Sequence, residues 1–171
     1  MELDDGDSSD NPPLPEDSPG ITQFIENMGL HYQHYGLSRI SGRILGLLLI
    51  TPQPISSEGM AEALQVSRSS VSTNLRTLLM AGLVEKVSHP GNRVDFFILA
   101  SGLWQKALEM RMAAITPLKT FAEQALNSLQ DEHPARNRME EMIRWVDLVD
   151  SMTQRMRHEW QSRQEVPVGS E

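Results

Sequence analysis

The chain's 171 residues are 39% hydrophobic and only 5% aromatic, include no cysteine, and carry a net charge of −8 at neutral pH. Disulfides, zinc fingers and thiol catalysis are thereby excluded, and ten methionines beside abundant Leu and Ala argue for helices over a β-sandwich. Seven acids and no base fall within the first 20 residues, which leaves 15 bases against 16 acids in the rest of the chain.

Residues 1–19, rich in Asp, Ser and Pro, read as a disordered acidic tail. The tail has no apolar stretch, so it is not expected to be a signal peptide. The longest apolar run, Ile44 to Ile50, is too short to span a bilayer, and a soluble cytoplasmic protein without a membrane partner is expected. Ile21, Phe24, Ile25 and Met28 recur at a spacing near 3.6, predicting a helix to about Tyr35 that Gly36 ends. A second helix, apolar over much of its surface, is predicted from about Leu37 to Leu49, with Pro52 and Pro54 beyond it.

Two short helices around a tight turn at Val66-Ser67 come next. The first runs from about Ser57 to Leu64, with Ser56 as its cap and Ile55 and Met60 at the spacing of a hydrophobic staple. The second runs from about Arg68 to Met80 with Ser67 as its cap. In it Val71, Leu75, Leu78 and Leu79 form one apolar stripe; Ser69, Thr73 and Arg76 lie opposite, and Ser70, Ser72 and Thr77 on the shoulders. This is the pattern of a helix-turn-helix, whose second helix enters a DNA groove. Gly82 suits the end of that helix.

Residues 83–87 and 94–98 are β-rich, and Pro90-Gly91 supplies turn chemistry, so a hairpin wing follows the helix pair. A long helix is predicted from Ser101 to about Leu129, kinked at Pro117, and a last one from about Ala135 to Arg163. In the last helix Met139, Met142, Ile143, Val146, Val149, Met152, Met156 and Trp160 recur every three or four residues, more apolar surface than its own domain offers to cover. A homodimer is therefore expected, with Ile21, Phe24, Met139, Ile143, Val146, Val149, Met152 and Met156 at its interface. The expected fold is mainly α: a winged helix-turn-helix with a two-stranded β wing, flanked by N- and C-terminal dimerisation helices. Its divisions are the tail at 1–19, the N-terminal helices and DNA-binding domain at 20–100, a helical dimerisation arm at 101–163, and a flexible C-terminus at 164–171.

The segments YGLSRISGRILGLLLI (35–50), LQVSRSSVSTNLRTLLMAGLVEKV (64–87) and HPGNRVDFFIL (89–99) resemble the winged helix-turn-helix regulators of the MarR type, most closely the GbsR-like branch. The resemblance implies a dimeric transcription regulator with helical arms at both chain ends and room for a small effector beside the DNA-binding unit. It covers about 65 residues; beyond Leu103 only the general helical pattern is shared, and the acidic tail lies outside it.

Candidate DNA contacts are Ser67, Arg68, Ser69, Ser70, Ser72, Thr73 and Arg76 on the second helix of the pair, and Asn92 and Arg93 in the wing. Hydroxyls and backbone N–H groups at a helix start can bind phosphate, and an arginine can pair bidentately with guanine. Arg39, Arg43 and His89 are candidate backbone contacts, although Arg43 suits a supporting carboxylate pair equally well. Asn74 stands near the apolar edge, where a structural hydrogen bond and a DNA contact are both open. Residues 37–100 hold six bases and four acids, a modest excess that a dimer would double.

His31 and His34 share a helix face at a chelating spacing but have no third ligand in view, so they read as surface histidines and no metal or cofactor is expected. Trp104, Trp145, Trp160, Tyr32 and Tyr35 are the material of an aromatic cage for a quaternary ammonium, or ordinary core and interface aromatics. The acidic tail is a solvated extension, or a phosphate mimic competing for the basic face. Nothing resembles a nucleophile elbow or phosphate loop, so enzymatic activity is not expected. Repression of a pseudo-palindromic operator is the expected activity; a winged-helix protein–protein adaptor is the rival reading.

Overall fold

The computed structural model describes residues 18–88 and 94–164, which divide into two compact units after Leu103. Residues 1–17, residues 89–93, where the wing turn is expected from the sequence, and residues 165–171 lie outside the described residues.

The first unit opens with α1 (Pro19–Gln33) and α2 (Arg39–Ile50). The second helix starts at Arg39 rather than near Leu37, because the Ser38 hydroxyl caps it by accepting the Ser41 N–H at 3.0 Å. Ile44, Leu45, Leu47 and Leu48 bury nearly all of α2 in the core. The two helices cross closely at Gly42, where a Cβ would stand 2.5 Å from the Met28 carbonyl oxygen, so only glycine fits. The helix pair follows as α3 (Ser57–Leu64) and α4 (Arg68–Met80), with the turn residue Gln65 left-handed at φ 51°. Ser56 and Ser67 cap the two helices by accepting the N–H groups of Gly59 (3.0 Å) and Ser70 (3.2 Å). Gly82 takes the left-handed backbone (φ 67°) that ends α4.

The wing is β2 (Val84–Ser88) paired antiparallel with β3 (Asp95–Leu99), Lys86 standing opposite Phe97. A third strand, β1 (Ile55–Ser56), adds to this two-stranded wing at its other edge: Ile55 pairs with Phe97 and Ser56 with Phe96, giving the order β1-β3-β2. Ile55 thus joins the sheet while its side chain, with Met60, Leu64, Val71, Leu75, Leu78 and Phe97, fills the core behind α3 and α4. One sheet edge and one apolar core fix the pose of the helix pair.

The second unit contains α5 (Leu103–Ile115, its first residue in the core of the first unit), α6 (Pro117–Ser128) and α7 (Arg136–Gln164). The helix expected to kink at Pro117 is instead two helices separated at Thr116, since proline has no N–H to continue the ladder and serves as the first residue of α6. Arg136 closes the end of α6, donating from Nη1 to the Leu126 and Leu129 carbonyls at 3.1 Å each. Ala122 and Val146 are buried where α6 and α7 pack. Lys119 Nζ donates to Asp147 Oδ1 at 2.6 Å, and that hydrogen bond raises the ammonium pKa above its ordinary value. The Thr153 hydroxyl donates to the Val149 carbonyl (2.8 Å) and lies 3.2 Å from Met112 Sδ on α5.

Candidate nucleic-acid interface

The α4 helix has two unlike faces. Val71, Leu75 and Leu78 are buried in the core, whereas Arg68, Ser69, Ser72, Thr73, Arg76 and Thr77 are exposed. Ser67, the cap, is exposed as well, and its hydroxyl lies 3.0 Å from that of Ser69; Ser70 is half-buried. The result is a row of hydroxyls and two guanidinium groups on one outward surface, with the free N–H groups of a helix start at one end.

Asn74 is half-buried, and its amide is engaged within the protein. Its Oδ1 accepts from the hydroxyls of Ser38 and of the buried Ser41, the latter at 2.8 Å, and its Nδ2 donates to the Ser70 carbonyl at 2.7 Å. The structural alternative therefore holds for Asn74. Its amide ties the middle of α4 to the start of α2 and fixes the angle at which α4 stands out.

Carboxylates that sequence reasoning did not connect meet three of the arginines. Arg68 pairs with Glu58 on α3. Arg39 and Arg43 both pair with Glu26 on α1, at 2.6 and 2.7 Å, and Arg43 also donates to the Leu64 carbonyl at the end of α3 (2.9 Å). Arg43 is thus a strut between three helices, the supporting role that the sequence left open beside phosphate contact. Glu26 lies 13 and 17 positions from these partners, a separation no helical spacing rule covers. Arg76 forms no ion pair among the described residues.

Asn92, Arg93 and His89 lie outside the described residues. The stem that would carry them is fastened by a cross-strand ion pair, Lys86 to Asp95 at 2.7 Å. At the far end of β2, the Glu85 carboxylate accepts from the backbone N–H and hydroxyl of Ser101, at 3.2 and 3.3 Å, just before α5.

Of the residues expected at a dimer interface, Val146 is 2% exposed and Met139, Ile143 and Val149 are half-buried within the second unit. Met152 and Met156 are exposed, on one stripe with Trp145, Leu148 and Trp160. Ile21 is half-buried and Phe24 exposed on α1. Helical periodicity alone does not mark Trp145 and Leu148 as outward, because the buried side of α7, set by Val146, decides which apolar residues face out.

The His31 ring lies 5.4 Å from Tyr32 and 4.9 Å from Tyr35, while the three tryptophans all belong to the second unit. His34 Nδ1 donates to the Leu30 carbonyl (2.8 Å). Among the described residues there is no group of three or more His, Cys, Asp or Glu able to hold a metal, and no helix is long and apolar enough to cross a membrane.

Comparison with known proteins agrees with this geometry. Residues 35–93 match the profile of the MarR family, and residues 102–163 match that of MmpR5-like MarR family transcriptional regulators. The HTH-type transcriptional regulator MmpR5 of Mycobacterium tuberculosis is 33% identical over 138 residues, covering 78% of this chain and 84% of that protein. The putative HTH-type transcriptional regulator YvaV of Bacillus subtilis is 24% identical over 139 residues, covering 72% and 78%. A crystal structure of a transcriptional regulator superposes with a TM-score of 0.67 at 31% identity, covering 84% of this chain and 99% of that one.

Proposed function

The chain belongs to the MarR family of transcriptional regulators and is a DNA-binding regulator of that class, and from this premise we propose how it acts: as a cytoplasmic homodimer that represses from a pseudo-palindromic operator. The observation that carries the proposal is the outward face of α4, where Arg68, Ser69, Ser72, Thr73 and Arg76 stand exposed on a helix whose other side is locked into the core. In a dimer two such helices enter successive major grooves about 34 Å apart, with the wings, including His89, Asn92 and Arg93, alongside. Arg39, half-free beside Glu26, adds a backbone contact.

The dimer forms through the helical arm at 101–163 together with α1. Its expected centre is the stripe of Trp145, Leu148, Met152 and Met156, an apolar row too continuous to be left in water. A small effector that alters the angle between the two DNA-binding units would regulate binding. The segments at 35–50 and 64–87 support a GbsR-like branch for the DNA-binding half, while the arm is similar to the MmpR5-like group.

Fluorescence anisotropy with the duplex upstream of the protein's own gene, beside an unrelated duplex, tests this directly. Tight, salt-sensitive binding that prefers the upstream duplex is expected. Equal binding to both, unchanged in an Arg68→Ala/Arg76→Ala variant, would overturn it.

A further inference from the structure

Arg68 is the first residue of α4, and its guanidinium is met by the carboxylate of Glu58 in the first turn of α3. Both side chains are largely exposed, 70% and 58%, so the pair contributes little to holding α3 and α4 together; the apolar core does that. A weak ion pair placed where the helix pair would meet a duplex can be exchanged for a DNA contact.

The local charge balance gives that exchange a direction. Residues 57–80 hold two bases, Arg68 and Arg76, and two acids, Glu58 and Glu62, so the helix pair carries no net charge. Non-specific affinity for DNA comes almost wholly from bases neutralising phosphates. With Glu58 on Arg68, a phosphate must either displace the carboxylate or sit against it, anion to anion. A guanine edge is a different ligand: neutral, and satisfied by two donors. A guanidinium has five N–H donors in a planar fork, so it can give two to guanine O6 and N7 while keeping one on Glu58.

We propose that Glu58 is a specificity-determining residue, a carboxylate that holds the Arg68 fork away from phosphates and leaves it free to read a base edge. This rests on the reading of Arg68 as a DNA contact. Glu58 acts through Arg68 and is a positioning residue. It denies the protein backbone affinity on every sequence and so widens the gap between operator and other DNA.

The test compares the wild-type protein, Glu58→Gln, Arg68→Ala and the double variant by anisotropy on the upstream and unrelated duplexes across a salt series, with melting temperatures to show that all four fold. Glu58→Gln is expected to tighten binding to the unrelated duplex about two- to fivefold, the range of an exposed ion pair. It steepens the salt dependence there by about one phosphate per chain and narrows the upstream-to-unrelated ratio. In the Arg68→Ala background the same substitution changes neither. A tightening that is equal on both duplexes, absent, or undiminished without Arg68 would overturn the proposal. If Arg68→Ala alone binds both duplexes as the wild type does, the reading of Arg68 fails and the proposal with it. If only the Glu58 arm fails, Arg68 stands as a contact without a guard.

Discussion

The hydroxyl of Ser41, on a residue only 1% exposed, donates to Asn74 Oδ1 across 2.8 Å and so joins the buried start of α2 to the middle of α4. The helix that carries the outward arginines is held by a polar bond as well as by Val71, Leu75 and Leu78. Truncating the amide leaves a buried hydroxyl without its acceptor. Asn74→Ala is therefore expected to lower stability by about 1–3 kcal/mol in urea unfolding. A change within a few tenths of a kcal/mol would mean that Ser41 finds another acceptor.

The crossing of α1 and α2 gives a graded expectation. At Gly42 an added Cβ meets the Met28 carbonyl at 2.5 Å, backbone that cannot step aside; at Gly46 the nearest atom is the Met28 Cβ at 3.1 Å. Gly42→Ala is expected to cost about 1–3 kcal/mol through overpacking, and Gly46→Ala clearly less. Thermal melts of the two variants read the order directly, and equal melting temperatures would contradict the close approach.

On the proposed dimer, the two faces of α7 are expected to separate stability from assembly. Val146 is buried in its own unit, so Val146→Ala should lower the melting temperature, at a cost of roughly 0.5–3 kcal/mol, and leave the oligomer intact. Leu148 is 54% exposed on the outer stripe, so Leu148→Glu should leave the helical content unchanged and release monomers. Sedimentation velocity distinguishes them. A Leu148→Glu protein that remains dimeric moves the interface off this stripe.

Arg76 and Arg43 are expected to behave oppositely. Arg76, without an ion-pair partner among the described residues, is available to a phosphate. Arg76→Ala should weaken binding to all duplexes and reduce the salt slope by about 0.9 for each phosphate it no longer neutralises. Arg43 is committed to Glu26 and the Leu64 carbonyl, so Arg43→Ala should register first as lower stability, with its salt slope unchanged.

The ion pair of Lys119 with Asp147 sets a pH expectation for the second unit. The lysine pKa is raised in the folded protein, so its contribution is present below the ordinary value of 10.5 and is lost as pH rises through the raised value. Asp147→Asn should lower the neutral melting temperature only slightly, since the pair is exposed, and the variant and wild-type curves should converge at alkaline pH, which makes the variant's alkaline fall shallower by that small amount. An identical alkaline profile in the variant would show that other groups govern it.

Much of this architecture is readable in the residues because local rules govern it. The serines at 38, 56 and 67 each accept the N–H three residues on, and Gly82 takes the left-handed backbone a helix end demands. The stripe of α4 follows from the helical period alone. Other features depend on residues far apart in the chain. Glu26, which takes both Arg39 and Arg43, becomes their neighbour only because Gly29 and Gly42 let two helices nearly touch. The strand of Ile55 and Ser56 is two residues long and carries no alternation to detect. In α7, 29 residues with apolar groups at every third or fourth place contain two adjacent faces, and periodicity cannot say which one the protein covers itself.

The most direct test of the central claim is hydroxyl-radical footprinting of the protein on the upstream duplex, with the Arg68→Ala/Arg76→Ala and Leu148→Glu variants beside it. The account predicts two protected patches related by two-fold symmetry and about one helical turn apart. Both should vanish with the arginines and become weak and independent in the Leu148→Glu protein. A single unsymmetrical patch, or symmetrical protection indifferent to Arg68 and Arg76, would contradict it.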